Sequence, residues 1–143
     1  MSTFALDDIF SPDRWRLERN SDAASLLVNS PGVKAPAWKG NVVEAELCAC
    51  ARILPLPASL MVRWRAGGPG SATGATCQHA DGTLAIYLDA NRQAFDLKRT
   101  TRHEAFHCSC LFTGRSRRVS IAIEENEADA FSRTGALPED MQA

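Results

Sequence analysis

Residues 98–114, KRTTRHEAFHCSCLFTG, are the most informative stretch of this chain. They predict a helix that ends at Gly114, because glycine is common just after the last residue of a helix. His103 and His107 are one helical turn apart, so both imidazoles project from the same face. Glu104 is rotated by about 100° from His103 and reaches beside the pair. Two imidazoles on one face can bind a single metal ion.

The start of this helix is marked less sharply than its end. Asp89, Asn91 and Asp96 each carry a side chain that can cap a helix N-terminus, and the sequence leaves the choice between them open. A last helix follows a short basic link. Ser120 can cap its start, and Gly135 predicts its end.

A catalytic zinc site needs a third protein ligand in addition to two histidines. The last helix offers one within the acidic run EENEAD at residues 124–129. We predict that Glu125 is the third zinc ligand, and the other carboxylates of the run are alternatives. Asp129, one turn later on the same face, is predicted to accept a hydrogen bond from the free ring N–H of His103 and so to orient that ligand.

This arrangement predicts hydrolysis of a peptide bond. Glu104 would act as general base, taking a proton from a water molecule whose pKa the zinc ion lowers, and would return the proton to the leaving amine. The oxyanion requires a further donor. Tyr87, the one tyrosine, and His79, the one other histidine, are candidates, although both residue types also serve packing alone.

Three strands are predicted before the histidine helix. Alternating apolar and polar residues indicate a strand over residues 60–65. Residues 76–80 and 83–88 flank Asp81-Gly82, which predicts a hairpin with a two-residue turn and positive φ at both turn positions. The exposed edge of the strand over residues 83–88 could bind an extended peptide. The glycine-rich stretch 67–74 lacks the ending of a phosphate-binding loop and is predicted to be a flexible connection.

The first part of the chain contains many turn-forming residues. We predict a loosely structured lead-in over residues 1–40, with one short helix near residues 15–27. A single folded domain is expected over residues 41–143, since 143 residues suffice for one core. Asn41 and Glu44 form a capping pattern that predicts the first helix of this domain.

Composition and charge narrow the range of partners. Sixteen Lys and Arg against 17 Asp and Glu leave a net charge of −1, so nucleic acid and anionic membranes are not expected partners. The acidic start differs from a secretory signal, and no apolar run could span a bilayer, which predicts a cytoplasmic protein. The basic run at residues 115–118 is expected to be a solvated loop that balances the acidic helix.

Five cysteines, an odd number without an export signal, predict reduced thiols rather than disulfides. The pairs Cys48/Cys50 and Cys108/Cys110 have one residue between them, whereas paired zinc-binding cysteines usually have two to four. Buried apolar side chains are therefore expected. Cys110, about one turn after His107, is the cysteine that could approach a metal ion.

The order of these features resembles the ImmA/IrrE family of zinc metallopeptidases, small proteins of the gluzincin type. The resemblance covers about residues 60–138 and rests on the strand over residues 84–88, the basic segment 98–102, the HEAFH motif, the run from Glu125 to Phe131, and Leu137-Pro138. It implies zinc at His103, His107 and Glu125, with Glu104 as general base. It also implies a cytoplasmic hydrolase that acts on a peptide or protein, such as a repressor-type protein.

The resemblance further implies a zincin-like α+β fold for the domain over residues 41–143. Helices would pack on a small, twisted, mainly antiparallel sheet, and the helix with the histidines would precede the helix with the third ligand. Two other interpretations remain open. The chain could be a non-catalytic zinc-binding or regulatory module of phage or mobile-element origin, or its histidines could bind no metal. The presence of Glu104 favours the enzyme, because a degenerate enzyme need not keep its general base.

Overall fold

The computed structural model describes residues 15–16, 35–65, 74–78 and 81–142. The described residues form an α+β structure, as predicted, with three α-helices and a small mixed sheet. The helices are α1 (Ala37–Ala51), α2 (Ala94–Thr113) and α3 (Ile121–Thr134), and the strands are β1 (Trp15–Arg16), β2 (Ser59–Arg65), β3 (Gly74–Gln78) and β4 (Leu84–Asp89). Short 3-10 helices cover Arg115–Arg117 and Glu139–Met141.

The strands lie in the order β1-β2-β4-β3, so β4 is inserted between β2 and β3. β2 pairs with β4 in parallel, whereas β1 pairs with β2 and β3 pairs with β4 in antiparallel orientation. The sheet is therefore mixed, and its central pairing departs from the mainly antiparallel prediction. Because β4 is paired on both sides, it has no exposed edge for a peptide. The edge beside α2 belongs to β3.

The hairpin between β3 and β4 is confirmed, but its predicted two-residue turn is wrong. The last pair in register is Gln78 with Leu84, so the connection covers residues 79–83. Among the described residues, Gly82 has φ +89° and no non-glycine residue has a positive φ. The Asp81 carboxylate instead accepts a hydrogen bond from the Thr83 N–H at 2.9 Å, which closes a local side-chain turn.

The helix ends agree with the sequence where capping chemistry is strong. The Ser120 hydroxyl accepts a hydrogen bond from the Ile123 N–H at 3.2 Å, and Gly135 ends α3 with φ +78°. Gly114 ends α2 with φ +83°. The start of α2 follows Gln93, so none of the three predicted caps is used.

Two predictions for the N-terminal part of the chain differ from the structure. α1 begins at Ala37 after Pro36, so the predicted start at Asn41 is wrong by one turn. Trp15 and Arg16 pair with β2 as a strand, although the sequence predicts a helix from residue 15. The rest of that segment, the glycine-rich residues 66–73, and His79 lie outside the described residues.

The main core lies between the helices and one face of the sheet. It includes Leu47, Trp64, Ile86, Phe106 and Phe131. All six residues of β4 are buried. Side chains alternate along β4, so they divide between the two faces of the sheet. One face packs in the main core, and the other contributes to a smaller cluster of Met61, Cys77, Ala85 and Tyr87.

All five cysteines are free, as predicted, and four of them are buried. Burial is the main reason that the pKa of the Cys50 thiol rises to about 12 and that of Cys110 to about 11, so both are protonated at neutral pH. Such thiols are unreactive. Within the described residues, none of the helices combines the length and the apolar character needed to cross a bilayer.

Candidate metal centre

Three of the predicted ligands converge where α3 packs against α2. His103, His107 and Glu125 each offer one ligand atom, and these atoms lie within 4.8 Å of one another. The two Nε2 atoms are 3.3 Å apart. The Glu125 carboxylate reaches both rings, with Oε1 at 2.5 Å from His103 Nε2 and Oε2 at 3.3 Å from His107 Nε2. Helix packing thus joins residues that are 22 positions apart in the sequence.

This donor set has the ligand types of a zinc site. Two atoms that each lie about 2.05 Å from a tetrahedral ion are about 3.3 Å apart. The His103–His107 and His107–Glu125 distances, both 3.3 Å, match that separation, whereas the 2.5 Å between His103 Nε2 and Glu125 Oε1 is a hydrogen-bond distance that would have to lengthen around an ion. Two imidazoles and one carboxylate are also the ligand types of a known class of catalytic zinc site, in which a fourth position stays open. The trio is the ligand set predicted from sequence, and the structure brings its three side chains together.

The other ring nitrogen of His107 contacts Glu124, which was not predicted to orient a histidine. Glu124 Oε2 lies 2.5 Å from His107 Nδ1, and both side chains are buried. Because an ionised carboxylate only accepts, this contact places a proton on Nδ1, and in the neutral ring the lone pair is then on Nε2, toward the site. The Ser116 hydroxyl donates to Glu124 Oε1 at 2.7 Å. Ser116 therefore orients Glu124, and Glu124 orients His107.

Asp129, which the sequence predicted as the partner of His103, pairs with arginines instead. Its carboxylate lies 3.3 Å from Arg133 Nη2 and 3.8 Å from Arg99 Nη2. The hydrogen bonds of His103 within the described residues reach Glu125 and His107 through Nε2. The predicted role is thus corrected: the carboxylate that contacts the second nitrogen of a candidate ligand histidine is Glu124, at His107. Asp129 is half-exposed and two strong cations compete for it, so it does not reach the ring.

Glu104 is buried beside the histidines and held by the sheet. Its side chain is 6% exposed. The Thr76 hydroxyl lies 2.7 Å from Glu104 Oε1, and this contact connects β3 to α2. Burial raises the pKa of Glu104 above its ordinary value, although the Thr76 hydrogen bond and the two nearby histidines partly oppose the shift. A raised pKa is what a carboxylate general base requires near neutral pH.

Burial and the charges around His107 together determine its pKa. Burial, the largest effect, lowers its pKa, but the hydrogen bond to Glu124 and the charges of Glu104 and Glu125 outweigh burial, so the pKa is raised. The reverse holds for the two α3 carboxylates. Burial raises the pKa values of Glu124 and Glu125, but their hydrogen bonds with the histidines lower them below the ordinary value.

A cleft of about 480 Å³ opens over these residues. Its walls are strand β3 on one side and helices α2 and α3 on the other. The residues that line it are Gly74, Ala75, Thr76, Arg92, Asp96, Arg99, Thr100, His103, Glu104, His107, Glu125, Asp129 and Ser132. Tyr87 is not among them, because it lies in the smaller cluster on the other face of the sheet. Arg92 and Arg99 also line the cleft, although neither belongs to a motif that predicts a site residue.

Arg115 is not part of a solvated loop, contrary to the prediction for residues 115–118. It is 5% exposed and forms paired hydrogen bonds with Glu127 at 2.8 and 3.1 Å and with Asp140 at 2.7 and 3.0 Å. Its positive charge therefore neutralises the negative charge of Glu127 on the acidic helix, as expected, but Arg115 is buried and not solvated. Arg115 also contacts the Cys110 thiol, and Cys110 is not a member of the ligand cluster.

Searches of protein-family models, curated proteins and solved structures returned no significant match to this chain. The residues and their geometry therefore have to indicate the function.

Proposed function

We propose that this chain is a zinc-dependent metallopeptidase of the ImmA/IrrE type with a zincin-like fold. One observation carries the proposal: two imidazole nitrogens and the Glu125 carboxylate converge within 4.8 Å of one another, and Glu104 lines the same cleft beside them. The order of the elements is also that of the resemblance, because the helix with the histidines precedes the helix with the third ligand.

Each residue has a role in the proposed reaction. His103, His107 and Glu125 would hold the metal. Zinc in such a site polarises a carbonyl group and lowers the pKa of a water molecule. Glu104 takes the proton of the attacking water and delivers it to the leaving amine nitrogen. Most of the residues that line the cleft are polar or charged, which suits the polar groups of a peptide backbone. The substrate is a peptide or protein, such as a repressor-type protein. The free cysteines fit a reducing compartment, so cytoplasmic action is part of the proposal.

Metal analysis tests the ligand set. We expect one zinc ion per chain in protein purified without added metal, and less than a tenth of that in Glu125→Ala. Asp96→Asn is the matched control, since Asp96 lines the same cleft outside the ligand cluster. Equal zinc content in wild type and Glu125→Ala would remove Glu125 as a ligand.

Hydrolysis tests the general base. The zinc-loaded protein is incubated with a mixture of unmodified peptides, and new termini are identified by mass spectrometry. Glu104→Gln should keep its zinc and lose about 10²- to 10⁴-fold in rate, because an amide cannot accept the proton. A Glu104→Gln variant that cleaves at the wild-type rate would refute the assignment of the base.

One observation favours the second candidate, a non-catalytic zinc-binding or regulatory module. Tyr87 lies on the other face of the sheet, so the one tyrosine does not supply the further oxyanion donor from the cleft. Zinc at one ion per chain together with no cleavage of any peptide would support this module. Zinc with cleavage that depends on Glu104 would exclude it.

A further inference from the structure

A threonine on β3 contacts the proposed general base. Thr76 is 2% exposed and lies opposite Ile86 of β4, on the sheet face that packs against the helices. Its hydroxyl oxygen is 2.7 Å from Glu104 Oε1 and 2.9 Å from the Glu104 backbone carbonyl oxygen. The carbonyl belongs to a helix interior and accepts an N–H from the next turn. Thr76 has one hydroxyl hydrogen to donate. We therefore assign this hydrogen bond to the Glu104 carboxylate, whose negative charge strengthens it.

This contact distinguishes the two oxygens of Glu104. Oε1 is held by Thr76, whereas Oε2 forms no hydrogen bond with the described residues. Glu104 is also one of the residues that line the cleft. A carboxylate held at one oxygen keeps the other available, and its orientation is then set by the sheet instead of by solvent.

The stem of Glu104 is confined by the same strand. Gly74 precedes Thr76 by two positions and so lies on the same face of β3. A Cβ atom added at Gly74 would lie 3.1 Å from Glu104 Cγ. β3 thus lies against Glu104 at two places: the glycine leaves room for the stem, and the threonine hydroxyl holds the carboxylate.

We propose that Thr76 is a positioning residue, whose hydroxyl holds Glu104 Oε1 so that Oε2 faces the cleft beside His103 and His107 as the proton-accepting atom. This inference rests on the proposed function, because it assigns Glu104 the role of general base. A base that must meet its proton within hydrogen-bond distance gains from such support. Thr76 itself touches no reacting atom.

The test compares Thr76→Val, which keeps the shape and removes the hydroxyl, with Thr76→Ser, which keeps the hydroxyl. In Thr76→Val we expect kcat to fall 10- to 100-fold, KM to stay within twofold and zinc content to stay unchanged. Thr76→Ser should restore kcat to within threefold of wild type. Thr101→Val is the matched control, because it also removes a buried hydroxyl, which bonds the Leu97 carbonyl and not Glu104. A Thr76→Val variant with wild-type kcat would overturn the proposal.

Crystal structures of the variants give a readout that does not depend on activity. The Glu104 carboxylate should turn away from its wild-type position in Thr76→Val and keep it in Thr76→Ser. An unmoved carboxylate in Thr76→Val would overturn the proposal even if kcat falls. If Thr76→Val does not fold, Thr76→Ser decides, since a tenfold loss of kcat with the hydroxyl in place would also overturn it. If the wild type cleaves no peptide, the proposed function fails, and the crystal structures alone decide whether Thr76 holds Glu104.

Discussion

Glu124 and Glu125 are neighbours on α3, yet they contact opposite nitrogens of one imidazole. Glu124 is buried and reaches His107 Nδ1, whereas Glu125 is half-exposed and reaches Nε2 from the open side. Consecutive helix residues are about 100° apart, so two adjacent carboxylates can flank a ring that lies between them. One carboxylate is therefore suited to orient the ring and the other to bind a metal ion beside it.

The first prediction separates the residue that supports a ligand histidine from the one that does not. Glu124→Gln should weaken zinc binding about 10- to 100-fold, because the charge that orients His107 is lost. Asp129→Asn should change zinc affinity by less than threefold, since Asp129 pairs with Arg99 and Arg133. Competition with a chelator measures both affinities. A larger loss in Asp129→Asn than in Glu124→Gln would restore the role that the sequence suggested for Asp129.

The second prediction concerns pH. The pKa of His107 is raised from 6.5 in the folded protein, so its protonation stabilises the fold below about pH 6.5 and this contribution is lost as pH rises through the raised value. Glu104, whose pKa is raised from 4.5, contributes with the same sign. Glu124, whose pKa is lowered, contributes above about pH 4.5 and loses its contribution only in acid.

With a chelator present, the urea midpoint of the wild type should therefore fall between pH 6 and pH 8. Glu124→Gln is the matched variant, because the neutral amide removes the negative charge that helps to raise the pKa of His107, and its midpoint should fall less steeply. A wild-type midpoint that rises over this range would contradict the assigned sign.

At the scale of elements, β3 and α2 approach each other closely at Gly74. A Cβ atom there would lie 2.6 Å from Thr100 Cγ2 and 3.0 Å from the Tyr87 carbonyl oxygen. Gly74→Ala should therefore lower the free energy of unfolding by about 1–3 kcal/mol, as overpacking usually does. Thr100→Ser removes the nearest methyl group and should recover part of this loss in the double variant. Urea unfolding of the four proteins measures the coupling, and independent effects of the two changes would contradict the predicted contact.

Arg115 connects three elements through one guanidinium group. It forms paired hydrogen bonds with Glu127 on α3 and with Asp140 in the last 3-10 helix. Lysine cannot form such forked bonds, so Arg115→Lys should speed amide hydrogen exchange over residues 139–142. Arg117→Lys is the control, because Arg117 is exposed. Equal exchange rates in the two variants would show that the fork does not hold this segment.

Across the whole molecule, the proposed metal site joins α2 to α3. A metal ion bound by both helices stabilises the folded chain alone, so at 1,000 times its Kd zinc should raise the free energy of unfolding by about 4.1 kcal/mol. Glu125→Ala should lose most of this increment. Magnesium is the control, because it prefers oxygen ligands and this site offers two nitrogens. Identical urea midpoints with and without zinc would contradict the site.

The sequence alone supported the local features of the fold. Ser120, Gly114 and Gly135 mark helix ends by capping chemistry, which acts within a few residues and needs no distant partner. β2 was readable from its alternating pattern. The start of α1 and the turn before β4 were misplaced, because weak local preferences there yield to packing.

Long-range pairing could not be predicted in the same way. The order β1-β2-β4-β3 places β4 beside β2 in parallel, although β3 precedes it in the chain. That choice depends on which apolar faces can be buried together, and β4 is buried on both faces. The same strand order places Tyr87 away from the cleft and makes β3 the edge strand beside α2. The alternating pattern of a single strand predicts neither of these positions.

For this protein, the amino-acid sequence by itself determined the chemistry that is present: two imidazoles and a glutamate at helical spacing, and a carboxylate on a later helix. Helical periodicity is a property of the local backbone, so the pattern could be read directly. The tertiary structure alone decided which carboxylate orients His107, which arginines hold Asp129 and Asp140, and that Thr76 reaches Glu104. Those partners are set by how α2, α3 and β3 pack, and packing depends on the shape of the whole core.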